Sequence, residues 1–140
     1  KVAAELGIQL VTAVPADTEA DLVIHASGQP EGLRDALVVA GHEATIVDVS
    51  WYGNQSVSLP LGEAFHSRRL TLKSSQVGRL NPNQTPRWNQ ARRMALAMEL
   101  LRDGHLDALI TGESPFEELP EVMARLSQGP GTTLCHRICY

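Results

Sequence analysis

Apolar positions along the chain fall into short runs separated by glycines and polar turns, with one stretch of helical spacing in each half. Lys1 to Leu6 is rich in helix formers and meets Gly7, a natural C-terminal stop. Ile8 to Val11, and Leu22 to Ala26 after the acidic Asp17 to Asp21, are continuous apolar runs of the kind buried in parallel sheets. Glu31 to Ala40 places Leu33, Ala36, Leu37 and Ala40 on one helical face, with Gly41 as its expected stop. Ala44 to Val49 and Leu70 to Ser74 read as a third and a fourth strand. Strand, helix and strand joined by short connections predict a right-handed parallel crossover. The connection Ser50 to His66 is long and carries Trp51, Tyr52, Gly53, Asn54 and Pro60. It leaves the carboxyl end of a parallel strand, where open α/β sheets bind ligands.

Beyond Gly78 the pattern changes. Asn81 to Pro86 is a polar turn-forming linker, with Thr85 as a cap and Pro86 at the first position of a helix that runs to about Arg102. Trp88, Ala91, Ala95, Met98 and Leu101 share one face of that helix, and Gly104 ends it. Ser114-Pro115-Phe116-Glu117 reads as a capping box, and Pro120 opens a second helical turn ending near Leu126. Gly129-Pro130-Gly131 breaks the chain before a final strand, Leu134 to Tyr140.

Composition narrows the class without naming a function. A hydrophobic fraction of 43% and a charged fraction of 20% suit a soluble globular protein. No apolar run reaches the ~18 residues of a membrane span, and no export leader is readable. The chain opens at Lys1 inside a predicted helix, so we expect a missing N-terminal portion. Its net charge of −4 is unevenly spread: Arg68 to Arg102 holds eight basic residues against Glu99 alone. No nucleic-acid module accompanies these arginines, so we expect acidic segments to neutralise them. Cys135 and Cys139 on one strand stand ~13 Å apart, too far for a disulfide. Free thiols suit a reducing, cytoplasmic compartment. With His136 they fall short of a four-ligand zinc grouping and read as ordinary strand residues.

The order of these pieces resembles the second half of the dinucleotide-binding domain of the zinc-type medium-chain alcohol dehydrogenases, followed by the return to their catalytic domain. Asp21-Leu22-Val23-Ile24-His25-Ala26-Ser27-Gly28 is similar to the family's D-x-V-I-x-A-x-G strand end. Gly41 to Ser50 stands for the next strand, although it ends Val49-Ser50 where the family has Val-Gly. Arg69 to Ser75 gives the strand after that, and Leu106 to Thr111 with Phe116 to Glu121 looks like the family's tail. The resemblance implies an α/β fold: a partial Rossmann-like parallel sheet with flanking helices over residues 1–78, and a helical and strand segment over 79–140. The G-x-G-x-x-G fingerprint, the acidic ribose-binding residue and the zinc ligands are absent, and the family places all of them upstream.

By that resemblance Ala26, Ser27 and Gly28 would line the nicotinamide ribose. Val49, Ser50 and Trp51 would lie beside the nicotinamide, and Ser74 and Ser75 would offer backbone groups to its carboxamide. The cofactor would be NAD or NADP, with zinc held only in the missing domain and a small alcohol or carbonyl compound as substrate. No catalytic and no metal-binding residue is assigned, so the isolated chain is expected to be inactive and to bind cofactor weakly. His25 reads as a packed histidine rather than a proton relay. Leu70 to Ser74, at the sheet edge, is expected to pair with its twin in a homodimer; neither nucleic acid nor membrane is an expected partner. The alternative is a non-catalytic α/β module that binds a nucleotide or a partner.

Overall fold

The computed structural model describes residues 2–15, 17–129 and 131–140. The chain divides into two compact units, one of residues 11–82 and the other of 1–10 with 83–140. Among the described residues no helix is long and apolar enough to cross a membrane.

The first of these units is a three-stranded parallel sheet with a helix packed on it. Strand β1 (Ala20–His25) leads through helix α2 (Pro30–Val39) to β2 (Ala40–Asp48), and the short α3 (Ala64–Ser67) precedes β3 (Thr71–Ser74). Helix α1 (Val2–Glu5) belongs to the other unit. The strand order is β1-β2-β3, and the register sets His25 beside Asp48 and Asp48 beside Ser74. All three strands therefore end level with one another. The predicted helical face is the core: Leu33, Ala36, Leu37 and Ala40 are buried against Ala44, Ile46 and Leu70. The guanidinium of Arg68 donates to the carbonyls of Val38 and Ala40, satisfying acceptors at the end of α2.

Two expectations fail here. Gly41 does not stop the helix; Ala40 turns extended at φ −72° and ψ 127°, and Gly41 lies inside β2. Its missing side chain has another use, since a Cβ there would stand 3.2 Å from the Cβ of Glu19. Ile8 to Val11 forms no strand. It crosses the boundary between the two units and pairs with no ladder, leaving Ile8, Leu10 and Val11 exposed. An apolar run becomes a strand only where a neighbouring edge takes up its backbone groups.

In the second unit, helix α4 (Gln90–Leu100) begins later than Thr85 and Pro86 suggest. Asn89 is the cap, its Oδ1 accepting the Arg92 N–H at 2.8 Å, while Pro82–Gln84 forms a 3-10 turn. Asn is among the strongest capping residues, and it wins over Thr here. The supposed packing face of α4 is exposed, including Met98 and Leu101. Ser114 does not start a helix. It lies in strand β4 (Ile110–Pro115), which pairs in parallel with β5 (Cys135–Cys139), and its hydroxyl meets His136 Nε2 at 3.1 Å. Helix α5 (Leu119–Gln128) carries Pro120 in its first turn, where the missing N–H costs nothing, and it buries Val122. Cys135 and Cys139 are free and exposed. Of the basic stretch, Arg69 meets Glu43 at 3.3 Å and Arg92 stacks over Trp88 at 4.4 Å.

Candidate functional site

The carboxyl ends of β1, β2 and β3 carry every residue that the sequence marks for the cofactor. Ala26, Ser27 and Gly28 follow β1, Val49, Ser50 and Trp51 follow β2, and Ser74 with Ser75 closes β3. Parallel register brings the three groups side by side. Gly28 is left-handed at φ +67°, a conformation that favours glycine, and there the chain turns away from the sheet toward α2. Trp51 is 89% exposed on the long loop.

Most backbone donors at this edge are already engaged. The Gly28 N–H donates to Ser50 Oγ at 3.0 Å and the Ser50 N–H to Asp48 Oδ1 at 3.0 Å. The Val49 N–H donates to the His25 carbonyl, and the Ser75 N–H to the Asp48 carbonyl. Ser50, where the resembled family has glycine, thus uses its side chain to hold the β1 turn against the β2 turn.

Beneath these turns lies a polar cluster that the sequence reading did not assemble. His25 is 5% exposed, which agrees with a packed histidine, but it is packed among polar groups. Its Nδ1 lies 3.0 Å from Asp48 Oδ1 and 3.2 Å from both Ser50 Oγ and the Tyr52 hydroxyl. Its Nε2 lies 2.7 Å from Ser27 Oγ. The Tyr52 ring stacks on the imidazole at 6.3 Å between centroids. Burial works to raise the Asp48 pKa, yet hydrogen bonds from His25 and Ser50 and the imidazole charge outweigh it and hold the carboxyl below its ordinary 3.8. Tyr52 is pushed above its ordinary 10.0, first by burial and then by the neighbouring Asp48 charge. Neither Asp48 nor Tyr52 stands out as a site residue in the sequence. The available signal was register: the last residues of adjacent parallel strands become neighbours.

Beside the end of β3, a cleft of about 320 Å³ is lined by Lys73, Ser74, Ser75, Gln76 and Arg79, among others. That volume lies at the small end of the range for ligand pockets. Two cations on its wall favour a ligand bearing negative charge. Among the described residues no group of three or more His, Cys, Asp or Glu side chains is placed to hold a metal ion. The residues present do not fit the zinc of the resembled family, and no chemical step here runs through a metal.

No protein-family model matches the chain, and no curated protein sequence matches it. Solved structures do. The chain is similar to L-idonate 5-dehydrogenase from Escherichia coli at 19% identity and a TM-score of 0.67, over 89% of this chain and 33% of that one. It is similar to alcohol dehydrogenase TADH from Thermus sp. ATN1 at 20% identity and a TM-score of 0.67, over 96% and 39%. A third similar structure, described as a short chain alcohol dehydrogenase from Escherichia coli CFT073 and complexed with NADH, shares 20% identity at a TM-score of 0.58, over 99% and 34%. The chain spans about a third of the length of these proteins. Its fold is similar to that of part of these dehydrogenases.

Proposed function

We propose that the chain is a piece of an NAD(P)-dependent alcohol dehydrogenase and supplies the nicotinamide side of its cofactor site. The observation that carries this reading is the level ending of three parallel strands, which gathers Ala26 to Gly28, Val49 to Trp51, and Ser74 with Ser75 at one edge. Ligands of open α/β sheets bind at such an edge. The nicotinamide cofactor, when bound, accepts or gives the hydride; the protein orients it. The Gly28 turn leaves room for the ribose. Carbonyls and hydroxyls at the ends of β2 and β3 accept from the carboxamide, and Lys73 and Arg79 offset phosphate charge. A small alcohol or its carbonyl product is the substrate of the whole enzyme.

Exposed apolar surface supports the reading as a piece. Leu22 and Ile24, two apart on β1, are 57% and 65% exposed, and residues two apart on a strand share one face. In the unit of 1–10 with 83–140, Val122 alone is a buried apolar residue among those described. A self-sufficient domain buries more than this. In the same reading β3, at the edge of its sheet, pairs with its twin in a homodimer.

The cofactor reading is tested through Trp51, which projects from the loop beside the proposed nicotinamide position; the second tryptophan, Trp88, lies in the other unit. Titration with NADH is expected to quench Trp51 emission by energy transfer to the reduced nicotinamide. Trp51→Phe should remove that quenching. Quenching of equal size in the variant, or none in the parent chain, overturns the reading.

A further inference from the structure

The cofactor reading uses Ser27 only as part of the ribose wall and leaves unused its chain of contacts through His25 to Asp48, whose order and spacing carry a chemistry of their own. Ser27 is exposed, His25 is buried, and Asp48 lies behind the imidazole with its side chain 13% exposed. One proton arrangement that satisfies these contacts is the following. A carboxylate at Asp48, held by the Ser50 N–H, accepts from His25 Nδ1 at 3.0 Å. Nδ1 then carries the imidazole proton, and Nε2 presents a lone pair. The group facing that lone pair, at 2.7 Å, is the Ser27 hydroxyl. The Gln29 N–H donates to the same hydroxyl oxygen at 3.2 Å, so Ser27 can spend its own proton on His25. Serine on Nε2 and a carboxylate on Nδ1 is the arrangement in which a histidine acts as general base toward a serine.

Surrounding structure fixes this geometry rather than leaving it to chance. Tyr52 stacks on the ring, and Ser50 holds both the carboxylate and the Gly28 turn. Gly32, in the first turn of α2, has no side chain to intrude. A Cβ there would stand 2.5 Å from Ser27 Oγ and 2.9 Å from His25 Nε2. The helix start therefore lies directly against the serine. Its first N–H groups, at Glu31 and Gly32, have no acceptor within the helix.

We propose that Ser27 is a nucleophile activated by His25 and Asp48, able to take an acyl group from a small ester. The Ser27 Oγ–carbon bond forms as the ester C–O bond breaks. The serine proton passes to His25 Nε2 and then to the departing alcohol. Water repeats the sequence in reverse to release the acid, leaving the chain unchanged. The inference stands apart from the cofactor reading, since it requires no nicotinamide.

The test is covalent labelling of the full chain with an alkyl fluorophosphonate, in which the Ser27 oxygen bonds phosphorus and fluoride leaves. The label is followed by intact mass and located by peptide mapping. Ser27 should be modified at least ~100-fold faster than Ser75, an exposed serine at the end of β3 with no histidine on it, as expected of general-base assistance. Ser27→Ala should abolish the adduct with an unchanged circular dichroism spectrum. His25→Gln, if folded, should slow labelling by at least ~100-fold. Should His25→Gln fail to fold, the Ser27-to-Ser75 rate ratio in the parent chain decides. Equal rates at the two serines, or a folded His25→Gln chain that labels as fast as the parent, overturn the proposal. p-Nitrophenyl acetate hydrolysed equally by the parent and Ser27→Ala chains would do the same for the acyl step.

Discussion

At the scale of single residues, Asp48 ties the strand ends together. Its carboxylate accepts from His25 and from the Ser50 N–H, and its pKa lies below the ordinary value because these contacts outweigh burial. A carboxyl whose folded pKa is depressed stabilises the fold fully above its unfolded pKa. That stability is lost as the pH falls through the folded value. Asp48→Asn should therefore cost about 1.5–3 kcal/mol at neutral pH, the usual worth of a hydrogen bond to a charged group. The gap between parent and variant should close as the pH drops below the unfolded pKa of 3.8. Urea denaturation at a series of pH values measures this directly; a gap that widens in acid contradicts the assignment. His25 shows why such a residue is hard to read in advance. A histidine within an apolar strand has the same sequence context whether it packs against leucines or against a carboxylate. Only the register that sets His25 beside Asp48 distinguishes the two.

At the scale of elements, burial separates helices α2 and α4 in spite of their similar sequence patterns. Leu37 on α2 is 1% exposed within the core, whereas Met98 on α4 is 58% exposed. Leu37→Ala should destabilise by about 2–5 kcal/mol, the range for truncating a buried leucine. Met98→Ala in the same chain should stay within about 0.5 kcal/mol. Comparable losses from both, measured by thermal melting, would show that α4 packs against something in solution. The contrast also explains what the sequence could reveal. The unit of residues 11–82 was legible because α2 repeats apolar residues on one face and β1 and β2 carry apolar runs bounded by turns. Strand β4 was not legible: Ile110 to Pro115 contains a single large apolar residue, and its pairing depends on β5, some twenty residues away. The start of α4 was misplaced because Thr85 and Asn89 compete as caps, and local sequence does not rank them in context. The cofactor-marked residues did gather at one edge, but the polar cluster beneath them depends on cross-strand neighbours that no local motif records.

At the scale of the whole molecule, the edge of the three-stranded sheet bears on how the proposed piece associates. Strand β3 ends its sheet with one backbone edge unpaired, and a two-fold pairing of that edge closes without growing a filament. Light scattering should give the mass of a dimer, and Leu72→Lys should shift it toward a monomer. A monomer mass for the parent chain at high concentration contradicts the pairing. The cofactor edge is the more central claim, and nuclear magnetic resonance of the isotopically labelled chain reaches it most directly. Titration with NAD to about 10 mM covers even the weak millimolar binding expected of half a site. The account predicts amide shifts concentrated at Ala26 to Gly28, Val49 to Trp51, and Ser74 and Ser75, with α5 unaffected. A spectrum unchanged throughout the titration, or shifts confined to residues 83–140, would contradict it.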